Sequence, residues 1–273
     1  MKARSLSATE SQVILSVPPE AELAIDDIIR LAHTTRNHAW KLAHTLVRKG
    51  WLQRVGRGRY IVNPPSSGPD PIPDMNPYRV GSHLVDPYYF AYGTAAHLHG
   101  FLTQAPRVYH IATPTVAERS ITQPAEFHLV HLAKRKFFGW QEVEKYGAPF
   151  RVSDPEKTVL DCLDRQELAN GIGGVVQVLH RASPRLNYVK LERYVRKVDN
   201  KSLAQRLGYL LEHECPGRRT PAAFLAFLRE FAGLAFVRLA SPARHGTRGN
   251  YHADWRVVVN VPEGVLRGEV RAR

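Results

Sequence analysis

Cysteines and long apolar runs are both scarce in this chain, and each scarcity excludes a class of protein. The two cysteines, Cys162 and Cys215, lie far apart and neither has the spacing of a metal site, so we expect reduced core thiols as in cytosolic proteins. No apolar run approaches the ~20 residues that a membrane span requires, and the first residues lack the apolar core of a signal peptide. The sequence therefore predicts a cytoplasmic protein with no membrane partner.

Signatures of cofactor and metal binding are missing as well. The sequence contains no glycine-rich phosphate loop of the form G-x-x-x-x-G-K-[ST]. Its mid-chain histidines do not share a face, because His97 and His99 are two apart on a predicted helix, whereas His128 and His131 are three apart on a predicted strand. We therefore expect no cofactor and no bound metal. His99 is expected at the C-terminal end of its helix, where the helix dipole favours it.

Basic residues, by contrast, are abundant. The 273-residue chain has 38 Lys and Arg against 25 Asp and Glu, which gives a net charge of +13 and a pI near 10.0. Such a balance favours a polyanionic partner, because binding releases condensed counterions. Net charge alone would also fit a ribosome-associated or membrane-surface protein. At 44% hydrophobic residues the chain can build a core, so we expect a folded protein with a basic surface.

Residues 24–63 combine this charge with two helical patterns. Residues 25–31 and 39–47 carry apolar side chains at helical spacing, and the second set follows i, i+3, i+4, i+7 and i+8. Thr34 or Thr35 between them can cap the second helix through its hydroxyl. A short strand, a turn with two glycines and a second strand follow. The pattern predicts a helix-turn-helix followed by a basic hairpin of the kind that forms the wing of a winged helix.

The charges on this segment indicate DNA binding. Between residues 28 and 60 there are eight basic residues and no Asp or Glu. A helix in the major groove needs long cations for phosphates and guanine and a planar amide for adenine, while hairpin arginines can reach a minor groove or the backbone. The predicted DNA contacts are Thr35, Arg36, Asn37, Lys41, His44, Arg48, Arg54, Arg57 and Arg59. The alternative is an ordinary solvated helix with a basic hairpin, which includes a winged helix that binds protein.

A proline-rich stretch divides the chain. Residues 63–77 hold six prolines among Ser, Gly and Asp, a composition that favours an extended linker. Downstream, strand patterns at residues 108–112, 126–132, 148–152 and 255–261 alternate with helical patterns at residues 93–100, 174–182, 188–198, 201–215 and 220–233. We therefore predict an α+β protein with an N-terminal winged helix-turn-helix domain in residues 1–63, a linker in residues 64–79 and a larger C-terminal mixed α/β domain in residues 80–273.

The segment Asp154-Pro155-Glu156-Lys157 has two interpretations. An acid-acid-lysine set can bind Mg²⁺ in a nuclease. Helix capping is the stronger interpretation, because proline belongs in the first helical turn, Asp154 can cap it, and Glu156 lies at the positive end of the dipole. Lys157 then points outward or pairs with Asp161, four residues on.

Two further segments are basic. Residues 134–140 join Lys-Arg-Lys to Phe-Phe-Gly-Trp, a set that either stacks on single-stranded nucleic acid or grips a partner, or forms a solvated turn that leads into a core aromatic cluster. Residues 181–201 hold seven basic residues against two acidic ones. This region can lie along a DNA backbone or face an acidic partner, and charge alone does not choose between them.

Several motifs follow one another in a distinctive order. The most telling is SDPEKTVLDCL at residues 153–163, and YFAYGTAAHLHG at residues 89–100 precedes it. Further matching segments are residues 57–64, 112–114, 171–174 and 204–212. In this order and spacing, the chain resembles the AbiEi family of antitoxins from bacterial type IV toxin–antitoxin systems.

The resemblance implies a DNA-binding antitoxin. Family members carry an N-terminal winged helix that represses their own operon at inverted repeats, and a C-terminal domain required to counter a nucleotidyltransferase-type toxin. By this resemblance Arg57 and Arg59 are wing contacts and residues 36–49 form the recognition helix. No catalytic residue is implied, since the family is not regarded as enzymatic, and direct contact with the toxin is left open.

Two other functions stay open from the sequence. A restriction-type nuclease needs an acid on one strand and Glu-x-Lys on the next. Asp254 and the segment Glu269-Val270-Arg271 approach this pattern, but arginine does not readily give up a proton to act as a base. The second alternative is a plain regulator whose C-terminal domain senses a small molecule.

Overall fold

The chain divides into two compact units, Met1–Asp86 and Pro87–Arg273. The computed structural model describes residues 5–19, 21–56, 58–65, 76–121, 125–215 and 220–268. Helices alternate with parallel and antiparallel strands, which confirms the predicted α+β class. The division falls after Asp86, whereas the sequence placed the start of the second domain at residue 80. Residues 66–75 of the predicted linker lie outside the described residues.

The first unit combines short helices with a small antiparallel sheet. In chain order its elements are α1 (Ala8–Leu15), β1 (Glu22–Ala24), α2 (Ile25–Leu31), α3 (Arg36–Arg48), β2 (Leu52–Gly56), β3 (Arg59–Val62) and α4 (Pro77–Ser82). The strand order is β1-β3-β2, and both pairings are antiparallel. Helix α4 occupies the end of the predicted linker, because the Asn76 side chain caps it and Pro77 lies in its first turn.

Helix α3 packs into the first unit through the apolar stripe seen in the sequence. Ala39, Leu42, Ala43 and Leu46 are at most 8% exposed and belong to one apolar cluster with side chains of α1, α2 and the sheet. Thr35 is the N-cap residue, but its hydroxyl makes no cap hydrogen bond, so the predicted hydroxyl cap is wrong. Burial of the stripe, about 0.8 kcal/mol per buried CH₂, therefore orients this helix.

Gly58 shapes the tip of the β2–β3 hairpin. Its φ of +72° lies in the left-handed region, and a Cβ there would come within 3.3 Å of Trp40 Cη2. A side chain is therefore disfavoured by both backbone conformation and space. The Gly58 carbonyl accepts a hydrogen bond from the Ile25 N–H at 2.8 Å, which attaches the hairpin to the start of α2.

The second unit begins with a mixed sheet and continues with helices. Its first elements are β4 (Tyr89–Phe90), α5 (Tyr92–Leu98), β5 (Val108–Thr113), β6 (Arg119–Ile121), β7 (Glu126–His131), β8 (Trp140–Lys145) and β9 (Ala148–Ser153). The strands lie in the order β6-β7-β5-β4-β9-β8, with β5 parallel to β7 and β4 parallel to β9.

The helical part of the second unit ends in a small sheet. Its elements are α6 (Pro155–Asp164), α7 (Gly171–Ala182), α8 (Tyr188–Val198), α9 (Lys201–Tyr209), α10 (Ala222–Phe231), β10 (Val237–Arg238), α11 (Pro242–His245), β11 (Asn250–His252), β12 (Val257–Val259) and α12 (Glu263–Gly268). The small sheet has the order β10-β12-β11. The predicted helix at residues 201–215 changes to π-helical geometry over Leu210–Glu214. The predicted strand at residues 255–261 is shorter, because Trp255 and Arg256 lie in a turn and Arg256 has φ +49°.

Helix α6 is buried on nearly all sides, including at its polar positions. Lys157 is 1% exposed and Asp161 is 5% exposed, and the Lys157 ammonium forms an ion pair with the Asp161 carboxylate. The Lys157 Nζ also lies 5.1 Å from the Phe138 ring centroid and 5.7 Å from that of Tyr89. Of the two expectations for Lys157, pairing is therefore right and an outward orientation is wrong, because α6 runs through the core of the second unit.

Loss of Asp161 should destabilise the protein strongly. We expect Asp161→Ala to lower the free energy of unfolding by about 3–5 kcal/mol, because it leaves the Lys157 ammonium buried without a counter-ion. The double variant Lys157→Met/Asp161→Leu should lose less, since it removes both charges together. Urea unfolding of the three proteins measures this difference, and a double variant as unstable as the single one would contradict it.

Candidate functional site

Helix α3 presents the predicted DNA contacts on its exposed side. Asn37, Lys41, His44 and Arg48 are all exposed, on the face opposite the buried stripe. Arg36 is exposed at the first helical position, and Thr35 is exposed at the N-cap. The amphipathic arrangement expected for this helix is thus present, while contact with DNA stays a prediction.

Carboxylates from just before this segment neutralise part of its charge. The Arg36 guanidinium lies 2.6 Å from the Asp26 carboxylate, and Arg30 lies 2.5 Å from Asp27. Both acids belong to the first turn of α2, where the helix dipole favours negative charge. The absence of acidic residues between positions 28 and 60 therefore overstates the charge that the folded surface offers to a partner.

Arg59 is a predicted DNA contact on the hairpin, but its guanidinium bonds other elements of the first unit and does not project freely into solvent. Its Nη1 donates to the Glu22 carboxylate at 3.2 Å and to the His83 carbonyl at 3.3 Å. Glu22 also accepts a hydrogen bond from His83 Nδ1 at 2.9 Å. Hydrogen bonding to His83 and the charge of Arg59 hold the pKa of Glu22 below its ordinary value, although burial opposes the shift. The arrangement joins β1, β3 and the end of α4.

The other hairpin arginines differ from Arg59. Arg54 is exposed, and its Nε donates to the Gly56 carbonyl at 3.2 Å within the same strand. Arg57 lies outside the described residues. Of the predicted DNA contacts on the hairpin that the structure describes, Arg54 is therefore the one that is exposed and forms no ion pair with a carboxylate.

Lys49, just after α3, belongs to the structure of the first unit. Its ammonium lies 2.6 Å from the carboxylate of Glu10, whose side chain is only 5% exposed. The Glu10 carboxylate also accepts from the Ser7 N–H at 2.6 Å, and the Glu10 N–H donates to the Ser7 hydroxyl at 3.3 Å, which forms a capping box at the start of α1. Burial alone would raise the pKa of Glu10, but the hydrogen bonds from Lys49 and Ser7 lower it below the ordinary value.

The Glu10–Lys49 pair should make stability depend on acid pH. Because the pKa of Glu10 is lowered by folding, its contribution is present above the ordinary value of 4.5 and is lost as pH falls through the folded-state pKa. We expect Glu10→Gln to reduce the free energy of unfolding by about 1–3 kcal/mol at neutral pH. Urea unfolding across acid pH should show this difference shrinking below 4.5. A difference that stays constant with pH would contradict the assignment.

The acidic motif at the start of α6 is occupied by structural contacts. Asp154 caps the helix through the Lys157 N–H at 2.9 Å and also accepts from the Tyr194 hydroxyl at 2.8 Å. Glu156 accepts from the Asn187 N–H at 2.8 Å. Lys190 bridges the two carboxylates, at 3.0 Å from Asp154 and 2.9 Å from Glu156. These contacts favour the capping interpretation over a Mg²⁺ site, and they remove Lys190 from the basic surface of residues 181–201.

The basic aromatic segment at residues 134–140 packs largely into the second unit. Phe138 is 8% exposed and contacts the Tyr194 ring at 4.9 Å, while Phe137 lies 5.0 Å from the Tyr89 ring. Lys136 pairs with Asp164 at 2.5 Å. Both phenylalanines are therefore committed to packing and unavailable for stacking on nucleic acid.

Metal and membrane features are likewise lacking within the described part of the chain. No cluster of three or more His, Cys, Asp or Glu side chains there has the geometry to hold a metal ion. His99 does follow α5, but its Nε2 hydrogen-bonds the Ser153 carbonyl at 2.7 Å and burial lowers its pKa, so a charge–dipole contact does not explain its place.

Of the nuclease pattern, Asp254 is exposed in a turn and residues 269–271 lie outside the described ranges. No helix among the described residues is long and apolar enough to cross a bilayer.

Part of the second unit matches a known family. Residues 89–213 match the family model of the AbiEi antitoxin C-terminal domain. These residues are thus similar to the C-terminal domain of the AbiEi antitoxins, and the resemblance seen in the motifs of the chain is confirmed. This family is regulatory, and the match supports an antitoxin role in a toxin–antitoxin system.

A solved structure shares the fold over nearly the whole chain. The crystal structure of the RV2827C protein from Mycobacterium tuberculosis aligns with 98% of this chain and 96% of that one, with a TM-score of 0.68. The sequence identity is 18%, so this likeness concerns the fold alone. No curated protein sequence matches the chain significantly.

Proposed function

We propose that this chain is a DNA-binding antitoxin of a type IV toxin–antitoxin system. In this proposal the first unit is a winged helix-turn-helix that represses its own operon at inverted repeats in double-stranded DNA. The second unit counters a nucleotidyltransferase-type toxin in the cytoplasm. The AbiEi match over residues 89–213 supports the antitoxin half of the proposal.

The DNA-binding part of the proposal rests on the exposed face of α3. Asn37, Lys41, His44 and Arg48 recur at helical spacing along one side of a 13-residue helix, over ~16 Å at 1.5 Å per residue. An α-helix with its side chains is about 10–12 Å across, which suits a major groove about 12 Å wide. The antiparallel hairpin that follows α3 supplies the position of a wing.

The residues of this face suit different contacts. Asn37 lies in the first turn of α3, and the N-terminal residues of a recognition helix contact base edges, so its amide suits adenine. Lys41 and Arg48 lie one and three turns further along, where long cations reach phosphates or guanine. These residues, with His44, form the core of the proposed interface.

Binding to its own upstream DNA tests the proposed repressor function. We expect the full chain to bind this DNA at least ~10³-fold more tightly than random DNA of equal length at physiological salt. Lys41→Ala/Arg48→Ala should weaken binding and reduce the slope of log K against log salt by ~0.9 for each lost phosphate contact. Fluorescence anisotropy titrations across a salt series measure both quantities.

A control variant distinguishes the effect of the α3 contacts on DNA binding from the effect of net charge. Lys145→Ala removes an exposed cation from the second unit and should leave both affinity and slope unchanged. Equal and weak binding of the wild type to both DNAs would refute the sequence-specific repressor. An unchanged slope in Lys41→Ala/Arg48→Ala would remove α3 from the interface.

Toxin neutralisation should be separable from repression. The full-length Lys41→Ala/Arg48→Ala variant, expressed from an unrelated promoter, should protect cells from the cognate nucleotidyltransferase-type toxin of the proposal as well as the wild type does. The reason is that both changes lie in the first unit, whereas the AbiEi match lies in the second. Colony counts after toxin induction, with antitoxin levels matched by immunoblot, measure the protection. Loss of protection at equal protein level would contradict the division of labour.

A further inference from the structure

The basic segment of the first unit folds against its own carboxylates. Arg30, Arg36, Lys49 and Arg59 form ion pairs with Asp27, Asp26, Glu10 and Glu22, respectively. All four acids precede the basic segment in the chain. Any polyanion that binds this surface through these cations must therefore compete with a partner that is already in place.

Asp26 differs from the other three acids in its contacts. Asp27 also accepts from the Ala24 N–H at 2.9 Å, and Glu22 and Glu10 join neighbouring elements. The Asp26 carboxylate, by contrast, accepts from the Arg36 guanidinium at 2.6 Å, and the two groups are both at the surface. Its side chain is 71% exposed and that of Arg36 is 62% exposed. A phosphate can therefore replace Asp26 as the partner of Arg36 without breaking a contact that holds elements of the fold together.

The position of Arg36 means that loss of its ion pair with Asp26 would affect phosphate binding. It is the first residue of α3, next to Asn37 on the exposed side of the helix. A phosphate that approaches this end of the helix meets both the guanidinium of Arg36 and the carboxylate of Asp26. The phosphate gains little from Arg36 while Asp26 remains bound, and a displaced Asp26 carboxylate repels it.

We propose that Asp26 is an internal counter-ion that restrains Arg36 and lowers the affinity of the first unit for DNA phosphates. This inference rests on the proposed DNA-binding function of α3. It assigns to Asp26 a role in tuning affinity that is separate from base recognition, because a phosphate contact carries no sequence information. Removal of the carboxylate should therefore strengthen binding to operator and random DNA by similar factors.

The experiment is a double-mutant cycle on the full-length protein, measured against its upstream DNA and random DNA. Asp26→Asn should tighten binding to both about fivefold at physiological salt and steepen the salt slope by ~0.9, the effect of one added phosphate contact. The gain should be absent in the Arg36→Ala background, and Asp26→Glu should behave like the wild type. Thermal unfolding confirms that each variant is folded.

Glu142→Gln provides the matched control for charge. Glu142 pairs with Arg151 at 3.2 Å in the second unit and is 69% exposed, close to the 71% of Asp26. An equal gain in Glu142→Gln, or a gain in Asp26→Asn that survives Arg36→Ala, would overturn the inference in favour of a simple net-charge effect. No gain in Asp26→Asn would overturn it as well. Failure of the proposed function has a different signature, namely wild-type binding that does not distinguish upstream from random DNA.

Discussion

The burial of α6 is the constraint on which the second unit depends. This helix brings Asp154, Glu156, Lys157 and Asp161 into the interior, where an unpaired charge costs several kcal/mol. Each of them is therefore bonded within the unit, to the α6 backbone, to α8 or to its neighbour on the same helix. The position of α8 follows from this requirement, because Lys190 and Tyr194 must reach the acids at the start of α6. The most distinctive motif of the sequence is thus a structural one.

The first unit differs, since Glu10 is the one charged residue among those described there that is buried. Its core is small and apolar, and α3 contributes one buried stripe and one exposed face. Four of the basic residues between positions 28 and 60 are paired with carboxylates that precede them in the chain. Among the described residues, fewer cations are therefore available to a polyanion than the sequence indicates, and these include Lys41, Arg48 and Arg54, with His44 beside them.

Patterns of short range were predictable from the sequence. Helix α3, the β2–β3 hairpin and the cap of α6 each depend on residues that are close together in the sequence. Their spacing along the chain therefore predicts them. The AbiEi motifs were recognisable for a similar reason, because they are contiguous segments. The Asp26–Arg36 pair was missed, although acids stand directly before the basic segment in the sequence. The structure brings the first turn of α2 close to the start of α3.

The sequence by itself determined the class of fold, the two-sided character of α3 and the AbiEi resemblance of the second unit, because periodicity and motif order are properties of the chain. Only the tertiary structure decided which charged residues are available. Arg59 and Lys190 look alike in the sequence as exposed cations, yet each is held by acids far away in the chain. The physical reason is that an ion pair depends on a distance of a few ångströms between side chains, and that distance is set by packing.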